Sequence, residues 1–193
     1  NACVLHGRLQ LPVSCYCLDI QAGCNGYVQG LFAAHQLLQQ EEIHSVLLCV
    51  GDTISKTVNP ADSTVAPVFG DGGSATWLTK GDGADAFFSF GTDGSKYDKL
   101  IVKNGGYRHP EAAGPSSLYM DGMEVMQMAL QRVPEAVHEI LQRSGSTLNE
   151  VDQLYFHQAN NFIVESLAKN LSVPMEKVPL VFSRFGNQSS ASI

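Results

Sequence analysis

Positive charge is scarce in this sequence. Twelve Lys and Arg stand against nineteen Asp and Glu over 193 residues, a formal net charge of −7. Such a surface repels a phosphate backbone and argues against a nucleic-acid partner. Charge of either sign is low, at 16% of residues, where an average soluble domain carries about 25%. Long apolar runs are missing too. None approaches the ~18 residues of a membrane span, so no membrane partner is expected, and no secretory signal is expected either. What is abundant is apolar material, 44% of residues. That is enough for a packed core and excludes disorder as the main state. The length suits one domain, or one and a part. The five cysteines, Cys3, Cys15, Cys17, Cys24 and Cys49, cannot all pair within one chain. Four lie in apolar stretches, which predicts buried thiols in a reducing, cytoplasmic setting. The chain starts at Asn1 and stops at Ile193 just after a polar small-residue run, so a piece of a longer protein is expected.

Periodicity organises the chain. Val13 to Ile20 is β-rich and apolar, as in a strand buried on both faces. Asn25 to Gln40 is helical, with Tyr27, Leu31, Ala34 and Leu38 at 3.6 spacing. Ser45 to Val50 predicts a second buried strand, and Ser55 to Thr64, with Pro60, a loop. Val65 to Phe69, Gly73 to Leu78 and Phe87 to Phe90 predict short strands. From Thr92 to Ser117 the composition turns to Gly, Asp, Lys and Pro, which marks a boundary. Met120 to Gln142 predicts a long helix with the stripe Val125, Ala129, Val133, Ala136 and Ile140, kinked or split at Pro134. Val151 to Phe156 and Val178 to Phe182 predict strands on either side of a helix at Asn160 to Asn170. Alternating strands and helices imply an α/β fold with a mostly parallel, covered sheet. The division reads as residues 1–110 and 111–193, two similar α/β halves.

Three positions at strand-to-helix switches carry chemistry. Cys24 follows a small-residue turn and opens a helix, whose unpaired N–H groups and positive end favour a thiolate; the other reading is one more small buried residue. His157 ends a strand just before a helix, where ligands gather in open α/β sheets; it also reads as a core histidine. Asn187 follows a strand and Gly186, where an amide can donate to an oxyanion or simply turn the chain. Switches of this kind collect at one edge of a parallel sheet. A Cys nucleophile with two polarising donors is then assembled. Gly70-Asp71-Gly72-Gly73 lacks the Lys-Ser/Thr of a phosphate loop and predicts a tight turn. Cys15 and Cys17 have no second pair to complete a zinc site. Met120, Met123, Met126 and Met128 suit core packing or an adaptable acyl channel.

These stretches together resemble the β-ketoacyl-acyl-carrier-protein synthase III family. The matching segments are DIQAGCNGY at 19–27, VGDTISKTVNPAD at 50–62, FGDGGSATWL at 69–78, MDGMEV at 120–125, FHQAN at 156–160 and FGNQSSAS at 185–192. The resemblance implies the thiolase fold, with two related βαβαβ halves and covered mixed sheets, here incomplete: the later part of the first half and the earlier part of the second. It implies a homodimer, acyl-coenzyme A and a malonyl thioester on acyl carrier protein as substrates, and no cofactor or metal. Cys24 would take the acyl group, and His157 and Asn187 would hold the malonyl thioester oxygen during decarboxylation. Gly122, Met123, Met126 and Asn160 would line the substrate path. About 85 residues upstream and about 45 downstream would complete such a chain.

The sequence departs from the family pattern at three places. Ser63 and Phe162 stand where members usually carry Arg, and Met123 where Asn is common. Losing two cations weakens contacts to a coenzyme nucleotide and to a carrier protein. Two rival readings differ in class. A papain-like cysteine peptidase shares the order Cys, His, Asn, but would want a Trp just after the nucleophile; here Asn25, Gly26 and Tyr27 follow, and the only Trp is Trp77. A non-catalytic fragment acting as a dimerisation or interaction module is the other.

Overall fold

The computed structural model describes all residues except 82, 84, 108, 111–113 and 115. It is mixed α/β. The helices are α1 (Ala2–Arg8), α2 (Gly26–Leu38), α3 (Gly122–Ser144), α4 (Asn161–Asn170) and α5 (Phe182–Phe185). The strands are β1 (Ser45–Asp52), β2 (Gly72–Thr79), β3 (Leu100–Val102) and β4 (Leu118–Met120). Three of the predicted helices form close to their predicted bounds. Their caps explain the ends. Asp121 accepts from the Glu124 N–H at the start of α3, and Asn160 from the Ile163 N–H at the start of α4. Gly145, with φ 67°, closes α3 in the left-handed conformation that glycine enters without penalty.

Pro134 does not split α3, which runs unbroken across it with the proline ring buried. The apolar stripe is also turned from the predicted one. Met126, Ala129, Leu130, Val133 and Val137 face the core, while Ala136 is exposed. They pack on α4, whose Ile163, Val164, Leu167 and Ala168 are buried, together with Leu154, Phe156, Leu171, Val173 and Val178. This is the apolar centre of the molecule, and it supports His157 from below in sequence and Asn160 from above.

The ladders differ most from expectation. β1 pairs with β2 antiparallel from Ser45↔Thr79 to Asp52↔Gly72, and β3 pairs with β4 antiparallel. Parallel neighbours were predicted from the alternation of elements. Among the described residues the one parallel pairing is the isolated bridge between Phe69 and Asn187. Residues 13–20, 65–69, 87–90, 151–156 and 178–182 are not in ladders as strands. The first four have different reasons. Val13 is 97% exposed and packs on nothing. Residues 65–68 turn. Phe88 and Phe90 instead stack edge-on against Phe32 of α2, with ring centroids 5.2 and 4.7 Å away. Residues 154–158 alternate buried and outward like a strand. Their chain partners are few, such as the Leu154 N–H on the Lys177 carbonyl at 2.8 Å.

β1 lies against α2, where close approach depends on Gly30. A methyl there would come within 2.5 Å of Leu48. The opposite face of the β1–β2 sheet shows Leu47 and its cross-strand partner Trp77 to solvent. The thiols are less buried than predicted: Cys3, Cys15 and Cys49 are exposed, Cys17 and Cys24 half-buried, and all five are free. No helix among the described residues is long and apolar enough to cross a membrane.

Candidate active site

Cys24 sits in a single 3-10 turn, Gly23–Asn25, that feeds directly into α2. Gly23 takes φ 51°, which swings the chain into the helix. The thiol is therefore at a helix start, as predicted, but its acidity runs the other way. Burial pushes the Cys24 thiol above its ordinary range; the nearby Ser189 side chain pulls it back in part, and the Asp52 carboxylate pushes it up again. Burial is the largest of these influences. At neutral pH the resting group is a thiol.

Asn187 is placed by a strap. Its N–H donates to the Val68 carbonyl at 2.9 Å, and its carbonyl accepts from the Gly70 N–H at 3.0 Å. The loop Gly70-Asp71-Gly72-Gly73, read from sequence as a plain turn, is the cradle for this segment. A methyl on Gly70 would meet the Phe185 carbonyl oxygen at 2.4 Å, and one on Gly72 would meet the Gln188 side chain. Gln188 Nε2 also donates to the Asp71 carbonyl at 2.9 Å. The Asn187 side chain is 5% exposed. Its Oδ1 accepts from the Ser189 N–H at 2.9 Å and from Ser192 Oγ at 3.5 Å. With the carbonyl end so engaged, Nδ2 is the end left to donate.

His157 follows the buried Phe156 and precedes the buried Gln158. Gln158 ties the segment to residues 179–181: Nε2 donates to the Phe156 and Pro179 carbonyls at 3.0 and 3.1 Å, and Oε1 accepts from the Val181 N–H at 3.0 Å. Burial lowers the His157 pKa from 6.5 to about 4, so the imidazole is neutral at physiological pH and carries one N–H. Nδ1 is enclosed without a hydrogen-bond partner among the described residues.

The structure joins Cys24 and Asn187 through one short segment. The turn Ser189–Ser192 packs on the Gly23–Asn25 turn and on the end of β1, with Ser190 Oγ donating to Asp52 Oδ2 at 3.2 Å. Among the described residues His157 makes no hydrogen bond to either of them; the Gln158 tie holds its segment to residues 179–181, from which the chain leads on to Asn187. The predicted substrate-path residues differ in exposure. Gly122 and Met123 are exposed at the start of α3, Met126 packs into the core, and the Asn160 carbonyl caps α4 at 2.8 Å from the Ile163 N–H. Ser63 and Phe162 are exposed. Among the described residues no cluster of His, Cys, Asp or Glu could hold a metal. Ser189 escaped the sequence reading. Its only signal was its place in the Gly-Asn-Gln-Ser-Ser-Ala-Ser run.

Residues 18–94 match the model of 3-oxoacyl-[acyl-carrier-protein (ACP)] synthase III, and residues 141–193 match its C-terminal counterpart. The putative 3-oxoacyl-[acyl-carrier-protein] synthase 3 of Campylobacter jejuni is 36% identical over 208 aligned residues, covering 100% of this chain and 59% of that protein. A crystal structure of a 3-oxoacyl-(acyl-carrier-protein) synthase III superposes with TM-score 0.95 at 36% identity, covering 99% of this chain and 62% of the other. The synthase from Burkholderia xenovorans gives TM-score 0.91 at 39% identity, over 100% and 58%. The chain thus spans about three fifths of the length of the relatives it matches. Its fold is theirs, the thiolase fold, and a papain-like peptidase is excluded. Spread over both halves of the sequence, these matches mean that the chain belongs to the 3-oxoacyl-[acyl-carrier-protein] synthase III family.

Proposed function

We propose that the full-length protein containing this chain is an acyltransferase that condenses an acyl thioester with a malonyl thioester, losing carbon dioxide. The observation that carries this reading is the joining of Cys24 and the Asn187 amide by the 189–192 turn. In the first half-reaction Cys24 sulfur attacks the acyl carbonyl. The S–C bond of the incoming thioester breaks, and the proton of Cys24 ends on the departing thiol. In the second, the malonyl C–C bond breaks and carbon dioxide leaves. The electron pair moves onto the thioester oxygen, where the Asn187 Nδ2 and the single N–H of neutral His157, on Nε2, stabilise it. The enolate carbon then attacks the acyl-Cys24 carbonyl and releases the Cys24 thiolate.

The thioesters, acyl-coenzyme A and malonyl-acyl carrier protein, are substrates, and no resident cofactor enters the scheme. Gly122, Met123, Met126 and Asn160 border the substrate path. The working form is a homodimer in the cytoplasm, the compartment that suits five free thiols. The two halves divide at residues 1–110 and 111–193.

Radiolabelled acyl transfer and carbon dioxide release, measured separately on the full-length protein, test the roles. Cys24→Ala loses acyl-enzyme formation. Asn187→Ala keeps acylation and loses decarboxylation by roughly 10²–10³-fold, the effect of one oxyanion donor, and His157→Ala follows Asn187→Ala. Loss of acylation with normal decarboxylation in Asn187→Ala would overturn the assignment.

A further inference from the structure

We infer that Gln188 is a positioning residue: its side-chain amide, seated on Gly72 and bonded to the Asp71 carbonyl, fixes the direction in which Asn187 is presented. This rests on the reading of Asn187 as a donor to the malonyl thioester oxygen. Residues 68–70 hold Asn187 by one isolated bridge, two hydrogen bonds on a single residue. The chain enters that bridge through Gly186 at φ 68°, the residue type with the widest backbone freedom. A bridge beside such a swivel fixes where the strap lies and leaves its rotation to the residue that follows.

That residue is held on both its backbone and its side chain. The Gln188 N–H donates to Ser192 Oγ at 2.6 Å, and its carbonyl accepts from the Ala191 N–H at 3.1 Å. Nε2 reaches across to the Asp71 carbonyl at 2.9 Å. The amide group rests on Gly72 as it does so. A methyl built on Gly72 would lie 2.4 Å from Nε2, 2.5 Å from Cδ and 3.0 Å from Oε1. Its three nearest atoms all belong to Gln188, so the seat exists only because residue 72 has no side chain.

The acceptor is itself anchored. The Asp71 carboxylate takes the Ser55 N–H on Oδ1 at 2.8 Å and the Ser55 hydroxyl on Oδ2 at 2.5 Å. Ser55 lies just past Asp52, the last residue of β1, and Asp52 accepts from Ser190 Oγ at 3.2 Å. The strap is thus tied at residue 188 and again at residue 190 to one corner of the chain. These ties, added to the bridge at Asn187, stop rotation about the strap. Aim matters here, because a donor displaced by about 1 Å from the developing oxyanion loses much of its effect.

The test uses the full-length protein and two variants that release the Gln188 amide by different routes. Gln188→Glu keeps the size of the side chain and sets an acceptor against the Asp71 carbonyl. Gly72→Ala leaves Gln188 intact and fills its seat; residue 72 lies in β2, outside the left-handed region, so the methyl acts on Gln188. In both, kcat for malonyl-thioester decarboxylation, expressed per Cys24 that can be acylated, falls about tenfold. That is less than in Asn187→Ala, because the donor is misaimed and still present. KM for the malonyl thioester changes little, and acyl-enzyme formation falls less than decarboxylation. The double variant loses no more than either single one, since both break the same contact. Unchanged decarboxylation in either variant, losses that multiply in the double variant, or acylation and decarboxylation falling in step overturns the inference. Normal decarboxylation in Asn187→Ala would instead overturn the reading of Asn187 on which it rests.

Discussion

Acidification is the perturbation that most directly tests how the site holds His157. The unfolded imidazole binds a proton near pH 6.5, the folded one only near pH 4, because burial penalises the charged ring. Between these values the unfolded state carries more protons than the folded state. The contribution to stability is therefore fully present above about pH 6.5 and is lost as pH falls towards 4. At about 1.4 kcal/mol per pH unit, the gap of 6.5 to about 4 amounts to about 3 kcal/mol at its limit. Hydrogen–deuterium exchange of the ring Cε1 proton, followed by mass spectrometry against pH, reads the midpoint for His157 alone. The midpoint falls near 4. Urea midpoints of the full-length protein at pH 7 and pH 4.5 then fall less far in His157→Gln than in the parent. Malonyl decarboxylation also shows no loss assignable to His157 protonation between pH 8 and pH 5. A His157 midpoint near 6.5 would refute the argument, since it would mean that water reaches the ring and that a charged donor is available at the thioester oxygen.

The strap and the core give two further expectations. Gly70→Ala forces a methyl against the Phe185 carbonyl, so the melting temperature falls, by the equivalent of about 1–3 kcal/mol for overpacking, and decarboxylation drops more than acylation because the displaced segment carries Asn187; equal loss of both half-reactions would count against the strap. Leu167→Ala, at a position 3% exposed on α4, costs about 2–5 kcal/mol in urea titration of the full-length protein, and a loss below 1 kcal/mol would mean that α4 does not anchor the core.

Local sequence determined the helices. The spacing of Ile163, Leu167 and Leu171 and the polar caps Asp121 and Asn160 are near-neighbour properties, and a helix satisfies its own backbone within four residues. The candidate residues Cys24, His157 and Asn187 were picked out for a similar reason: they stand in short motifs whose residue types suit a nucleophile and two donors. Strands were read less well, because an apolar run becomes a strand only when another chain segment supplies its hydrogen bonds. Ser45 to Asp52 found that partner in Gly72 to Thr79; Val13 to Ile20 shows the same composition and forms no ladder. The acidity of Cys24 depends on more than local sequence shows. The helix start is visible in sequence, whereas burial and the approach of Asp52, 28 positions away, are not. Tertiary structure alone decided that Gly70 cradles Asn187, that Gln158 ties the His157 segment to residues 179–181, and that Ser189 enters the left-handed region between Cys24 and Asn187. Each depends on contacts between segments far apart in the chain, and their energies are set by distances that no local pattern of residues encodes.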